Sequence, residues 1–152
     1  MTAKGADQAA PSPSPPAAAA GRSLARVHAL VTGGSRGIGA AVARLLLTHG
    51  ARVTILGRNP VVLERTLAEL KPLGDVQTTT GDVSSPKAVA TAFDHARNLF
   101  GDINILINNA GQAGSAPFAG TDLNLWRRML DVNLKGTFLC MQAVMPGMVD
   151  AG

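Results

Sequence analysis

The chain contains no tyrosine, one tryptophan, four phenylalanines and a single cysteine in 152 residues. A lone Cys140 excludes an intrachain disulfide framework and a multi-cysteine metal site, and it suits a reducing compartment, so a cytoplasmic location is expected. The residue itself reads as a small buried hydrophobe on a helix. His28, His49 and His95 share no ligand spacing, and no metal is expected. Charged or polar residues interrupt every apolar run before it reaches the length of a bilayer, so no membrane association is expected. The net charge of +4 arises from 14 basic and 10 acidic residues. The basic ones are scattered from Lys4 to Lys135 and form no stripe of the kind a nucleic-acid groove needs, which argues against a nucleic-acid partner.

What is present divides into two materials. Residues 1–22 are rich in proline and alanine, with Pro11, Pro13, Pro15 and Pro16 followed by Ala17 to Ala20. They lack side chains to build a core and read as a disordered leader. Lys4, Arg22 and Arg26 are too sparse for a transit peptide. Residues 23–152 alternate between two hydrophobic periods, as a βαβα chain requires. Strands are expected over 27–31, 52–56, 76–80 and 103–107, the last apolar enough to be buried on both sides. The first helix carries Ile38, Val42, Leu45, Leu46 and His49 at helical spacing and stops at Gly50. Pro60 opens the second, with Leu63, Leu67 and Leu70 on one face, and Ser85-Pro86 starts the third. A long helix over 122–145 is expected to bury Trp126, Leu130, Thr137, Met141 and Val144. Four strands with right-handed crossovers make an α/β, Rossmann-type doubly wound parallel sheet in the order 3-2-1-4. A sheet of this type continues beyond four strands, so the dinucleotide-binding domain is expected to be truncated, with strand four as an open edge.

The chemistry concentrates at the strand ends. Val31-Thr32-Gly33-Gly34-Ser35-Arg36-Gly37-Ile38-Gly39 joins a strand to a helix start. Gly33 permits the tight turn, Gly37 lets backbone approach a pyrophosphate, Gly39 lets the helix pack on the strand, and the free N–H groups of the helix start face the anion. An acid for a ribose 2′-hydroxyl would stand at the end of strand two, but the chain reads Leu56-Gly57-Arg58-Asn59 there. Arg58 and Arg36, each an ordinary surface arginine when read alone, together offer guanidinium groups for a 2′-phosphate, which favours NADP over NAD. Gly81-Asp82-Val83 ends strand three, where side chains reach an adenine ring; alone, Asp82 reads as a turn residue. In Asn108-Asn109-Ala110-Gly111 the amides can tie strands together, and the two small residues leave room for a flat ligand. Asn133 sits mid-helix, where an amide needs partners. It either bridges helix and sheet or positions a water for proton transfer. Asp122 and Asp131 read as solvated helix acids.

Taken in order and spacing, Thr32-Gly33-x-x-x-Gly37-Ile38-Gly39, Gly81-Asp82-Val83, Asn108-Asn109-Ala110-Gly111 and Asp131-Val132-Asn133-Leu134-x-Gly136-Thr137-Phe138 resemble the N-terminal half of the short-chain dehydrogenase/reductase family. The Gly33-to-Gly37 interval is similar to its compact branch, represented by 3-ketoacyl carrier-protein or acyl-CoA reductases. The resemblance implies that Gly33, Ser35, Arg36 and Ile38 hold cofactor phosphates and that Arg58 adds a 2′-phosphate contact. It places Asp82 and Val83 beside adenine, and Asn108, Ala110 and Gly111 at the ribose and nicotinamide. Asn133 would be the catalytic asparagine of an Asn-Ser-Tyr-Lys proton relay. The chain departs from the family there, since it holds no tyrosine and no Tyr-x-x-x-Lys.

Two readings follow. In the first, the chain is the leading part of an NADP-dependent oxidoreductase moving hydride between nicotinamide and a ketone or secondary alcohol, homo-oligomeric in its full-length form, with this stretch alone inactive. The alternative is a noncatalytic dinucleotide-binding or assembly module. A phosphate-binding ATPase loop is set aside, because Arg36-Gly37-Ile38 stands where Gly-Lys-Ser or Gly-Lys-Thr is required.

Overall fold

A computed structural model describes residues 24–114 and 117–152; the expected leader lies outside the described residues. Strands β1 (His28–Thr32), β2 (Arg52–Gly57), β3 (Val76–Thr80) and β4 (Ile105–Ile107) alternate with helices α1 (Gly37–Thr48), α2 (Pro60–Leu70) and α3 (Pro86–Phe100). Then come α4 (Leu123–Leu130), a π-helical segment (Asp131–Lys135) and α5 (Gly136–Ala151). All pairings are parallel, in the order β3-β2-β1-β4. Val31 pairs with Ile55 on one side and Ile107 on the other.

Successive side chains of a strand point to opposite faces, so the core is split in two. Leu30 and Leu56 pack with Phe93, Val89, Cys140 and Val144 beneath α3 and α5. Val31, Val53 and Ile55 pack with Ala43, Leu47, Leu63 and Leu70 beneath α1 and α2. Local chemistry sets the helix starts. Asn59 accepts from the N–H groups of Val61 and Val62, Ser85 accepts from that of Ala88, and each is followed by a proline whose missing N–H costs nothing at a first turn.

Three expectations need correction. The buried stripe of α1 is Gly39, Ala43 and Leu47, while Ile38 and Leu45 are exposed. This helix sits so close to the first strand-to-helix turn that only small residues fit at the contact. The last helix runs unbroken from Leu123 to Ala151 but changes its winding midway: α4 buries no residue fully, and α5 buries Gly136, Cys140 and Val144, leaving Trp126, Leu130 and Met141 exposed and Thr137 half-buried. The π segment adds a residue to the turn and shifts the helical phase between the two parts. Strand β4 is shorter than expected and half-buried, because it pairs with β1 alone among the described residues.

Candidate functional site

A cleft of about 760 Å³ opens at the carboxyl ends of the strands. This is where an open parallel sheet binds ligands, beside the point where strand order reverses. Its floor is the turn between β1 and α1. Gly33 adopts a φ of +66°, and a Cβ there would come within 3.0 Å of the Ala110 Cα, so both backbone conformation and space require glycine. Gly37 has a φ of +55° with nothing within 4 Å of a built Cβ, which leaves its outer side open. At Gly39 a Cβ would lie 2.5 Å from the Asn109 Nδ2 and from the Gly33 carbonyl oxygen.

The turn is fixed from behind and free in front. The N–H groups of Gly33 and Gly34 donate to the Leu56 carbonyl, at 2.8 and 3.3 Å. Those of Ser35, Arg36, Gly37, Ile38 and Gly39 have no partner among the described residues. No side chain caps α1, and its first turn holds no acid. Its positive end therefore remains available to an anion. Thr66 of α2 steadies the turn by donating to the Ser35 carbonyl at 2.7 Å.

Asn109 supplies the other support. Its Nδ2 donates to the carbonyls of Thr32 and Gly33, at 3.0 and 3.2 Å. The Thr32 hydroxyl accepts from the N–H groups of Asn109 and Ala110 and donates to the Ile107 carbonyl. The end of β4 is thereby fastened to the glycine turn.

Among the expected cofactor contacts, Gly33, Ser35, Arg36, Arg58, Asp82, Val83, Ala110 and Gly111 line the cleft, joined by Leu56, Asn59, Gly81, Asn109 and Val132. Gly37, Ile38, Gly39 and Asn108 do not. Ile38 turns its side chain to solvent and Gly39 is buried against the turn. Asn108 is exposed, because the chain turns just past β4, where the Asn109 N–H bonds back to the Ile107 carbonyl and Asn109, not Asn108, meets the glycine turn. Asp82 is a turn residue as well as a wall residue, its Oδ1 accepting from the backbone N–H and hydroxyl of Ser84 at 2.9 and 2.7 Å. Partial burial opposes its charge, but those bonds, with Arg58 and Lys135 nearby, prevail and hold the carboxyl below the usual range.

Asn133 lies in the π segment outside the cleft wall. Its amide makes a two-point clamp on the Gln112 backbone, accepting from the N–H at 2.8 Å and donating to the carbonyl at 2.9 Å. The side chain bridges the last helix to the segment after β4, using one acceptor site of Oδ1 and one hydrogen of Nδ2. Asp122, read as a solvated acid, is exposed but caps α4 by accepting from the Leu125 N–H at 2.7 Å. Thr66 and Gln112 carried no local signal for their roles, since their partners stand 31 and 21 residues away.

No helix among the described residues is long and apolar enough to cross a membrane. No group of three or more histidine, cysteine or acidic residues among them is placed to hold a metal ion.

Comparison with known proteins agrees with this architecture. An uncharacterized oxidoreductase of Staphylococcus saprophyticus is 38% identical over 128 residues, covering 80% of this chain and 53% of its own length. The rhamnolipids biosynthesis 3-oxoacyl-acyl-carrier-protein reductase of Pseudomonas aeruginosa is 36% identical over 124 residues, covering 82% of this chain and 48% of its own. Among solved structures, the Pseudomonas aeruginosa RhlG/NADP active-site complex superposes with a TM-score of 0.78 at 36% identity, over 82% of this chain and 49% of the other. The chain thus spans about half the length of the curated relatives it matches. A family profile described as short chain dehydrogenase matches residues 27–152, the whole span from the first strand onward, and the chain belongs to that family.

Proposed function

We propose that the cleft binds NADP(H) and that the chain forms the nucleotide-holding part of an oxidoreductase acting between a ketone and a secondary alcohol. The observation that carries this reading is the run of five unpartnered N–H groups from Ser35 to Gly39 at an uncapped helix start. A diphosphate is suited to that end, because Gly33 holds the tight turn beneath it and the outer side of Gly37 is open. Arg36 and Arg58 stand on the cleft wall with no acid at the end of β2, an arrangement suited to a 2′-phosphate. Asp82 and Val83 border the adenine side, and Ala110 and Gly111 the ribose and nicotinamide side. The bound nicotinamide supplies the hydride donor or acceptor. Asn133, the asparagine proposed for the proton relay, is held in place by its clamp on Gln112.

General acid–base transfer is worth roughly two to four powers of ten, and the chain has no tyrosine to provide it in the way its family does. These 152 residues are therefore proposed to bind cofactor without turnover. A cytoplasmic site of action is supported by the lone cysteine, which is buried. Homo-oligomer formation by the full-length protein is supported by the exposed apolar residues Trp126, Leu130, Leu134, Phe138 and Met141 along α4 and α5. Family membership disfavours the noncatalytic-module alternative.

Calorimetric titration with NADPH and NADH tests the reading. NADPH is expected to bind more tightly, and Arg58→Ala to weaken NADPH by about tenfold while leaving NADH unchanged, the magnitude of one solvent-exposed charge-assisted contact. Equal affinity for the two cofactors, or a preference for NADH, overturns it.

A further inference from the structure

The glycine turn is held at three places, and only one of them acts on the part that carries the free N–H groups. The Leu56 carbonyl accepts from the N–H groups of Gly33 and Gly34, and the Asn109 amide donates to the carbonyls of Thr32 and Gly33. Beyond Gly34 the support comes from α2. The Thr66 hydroxyl lies 2.7 Å from the Ser35 carbonyl oxygen and 3.0 Å from that of Val62. Neither carbonyl has a proton to give, so the hydroxyl donates, and the shorter distance places its hydrogen chiefly toward Ser35. Among the described residues this is the only hydrogen bond from an α2 side chain to a residue outside the helix, and the Ser35 carbonyl has no other partner.

That bond sets a direction. The Ser35–Arg36 peptide is trans, so its carbonyl and its N–H point opposite ways. With the carbonyl drawn to Thr66, the Arg36 N–H is turned away from that hydroxyl, and it has no partner among the described residues. The Ser35 carbonyl also stands four residues before Gly39, whose N–H it would accept if α1 began one residue earlier. Instead the Ala40 N–H donates to the Arg36 carbonyl, and Arg36 is extended, at φ −167° and ψ 170°. Thr66 thus occupies the one carbonyl placed to absorb an N–H of the cradle. Its hydroxyl is not what seats α2, because Leu63 and Leu70 are buried on the same face of that helix.

We propose that Thr66 is a positioning residue for the anion cradle: its hydroxyl keeps the Ser35 carbonyl on the α2 side, so that the Arg36 N–H of the same peptide stays free and directed for a cofactor phosphate. The inference rests on the cofactor reading of the cleft and adds to it a buried residue that is not part of the cleft wall. Thr66 touches no ligand and acts through the Ser35–Arg36 peptide. A phosphate arriving at an N–H that is already oriented gains the bond without the cost of ordering the peptide. Without the hydroxyl that peptide is free to swing about its axis, and the N–H direction it loses must be restored on binding. The carbonyl released by the loss also becomes a rival acceptor beside the anion, since its negative dipole end is no longer tied down.

Calorimetric titration of NADPH into the whole chain and into its Thr66→Val and Thr66→Ser variants tests the assignment. Valine keeps the branched shape without the hydroxyl and is expected to weaken NADPH by about five- to tenfold, the size of one lost hydrogen bond. Serine keeps the hydroxyl and is expected to bind nearly as the unaltered chain does. Unchanged affinity in the valine variant overturns the proposal, and so does a loss that serine shares, which assigns the effect to packing. Amide-exchange NMR supplies a readout that packing alone does not move. In the unaltered chain the Arg36 N–H is expected to gain about tenfold protection on saturation with NADPH, as one new hydrogen bond requires. In Thr66→Val that gain is expected to shrink while Gly33 and Gly34, bonded to Leu56, keep their protection. NADPH binding with no gain at Arg36 defeats this inference and leaves the cofactor reading standing. Failure of the unaltered chain to bind NADPH or NADH defeats both. The exchange measurement on the unaltered chain decides the question even where a variant fails to fold.

Discussion

Gly37 and Gly39 stand two residues apart in the cradle, yet the structure assigns them opposite reasons for being glycine, and alanine substitutions separate those reasons. At Gly37 the demand is conformational, a φ of +55° with open space beyond. Alanine there incurs the left-handed penalty of about 1–2 kcal/mol and displaces nothing. At Gly39 the backbone is ordinary, but a methyl group would sit 2.5 Å from both the Gly33 carbonyl oxygen and the Asn109 Nδ2. Relief of the carbonyl contact requires the helix start to withdraw from the turn, and relief of the amide contact requires Asn109 to swing out. That swing forfeits its bonds to Thr32 and Gly33, each worth about 1 kcal/mol. With overpacking strain of about 1–3 kcal/mol added, Gly39→Ala is expected to cost about 3–5 kcal/mol, a large part of a typical domain's stability. Urea unfolding followed by circular dichroism measures both variants. In an Asn109→Ala background, Gly39→Ala is expected to cost about 1–2 kcal/mol less, because those bonds are already gone. If Gly39→Ala is no more harmful than Gly37→Ala, or if its cost is unchanged when Asn109 is absent, the close packing of helix against turn is not what fixes this residue.

Other consequences are measurable in the same chain. Phe93 is completely buried between α3 and the sheet, and Phe93→Ala is expected to lower stability by about 3–5 kcal/mol in urea unfolding. Asp82 is depressed in the folded state, so its contribution is present above the ordinary aspartate range and is lost as pH falls through the lower folded value. Asp82→Asn keeps an acceptor for Ser84 and is expected to flatten that acid limb of stability against pH; an unchanged slope tells against the assignment. Burial pushes the Cys140 thiol up to about 11, so a maleimide reagent is expected to label it only as fast as the protein unfolds. Asn133→Ala removes both bonds to Gln112, and faster amide exchange at Gln112 is the expected signature.

Strands and helix starts were legible because their determinants are local. Asn59-Pro60 and Ser85-Pro86 carry a side-chain cap and a fixed φ in adjacent residues, and both begin helices where expected. Helix phase was less legible, for two different reasons. Around α1, apolar residues occur on several faces, and the buried one is chosen by proximity to the glycine turn, which admits Gly39 and Ala43 ahead of the larger Ile38 and Leu45. Between α4 and α5 the hydrophobic pattern runs on without a break, so nothing in it marks the π segment at Asp131–Lys135. The amide pair shows the same limit at finer scale. The sequence places Asn108 and Asn109 together at a strand end, but only the turn past β4, held by the Thr32 hydroxyl, decides which of them meets the glycine turn. His28 lay further beyond reach, with side-chain partners 26 and 73 residues away. The long-range ties of Asn109 and Thr66 to the glycine turn gather around one cleft. Local preference yields there to the geometry of a site, which is where a chain shaped by function is expected to break its own regular pattern.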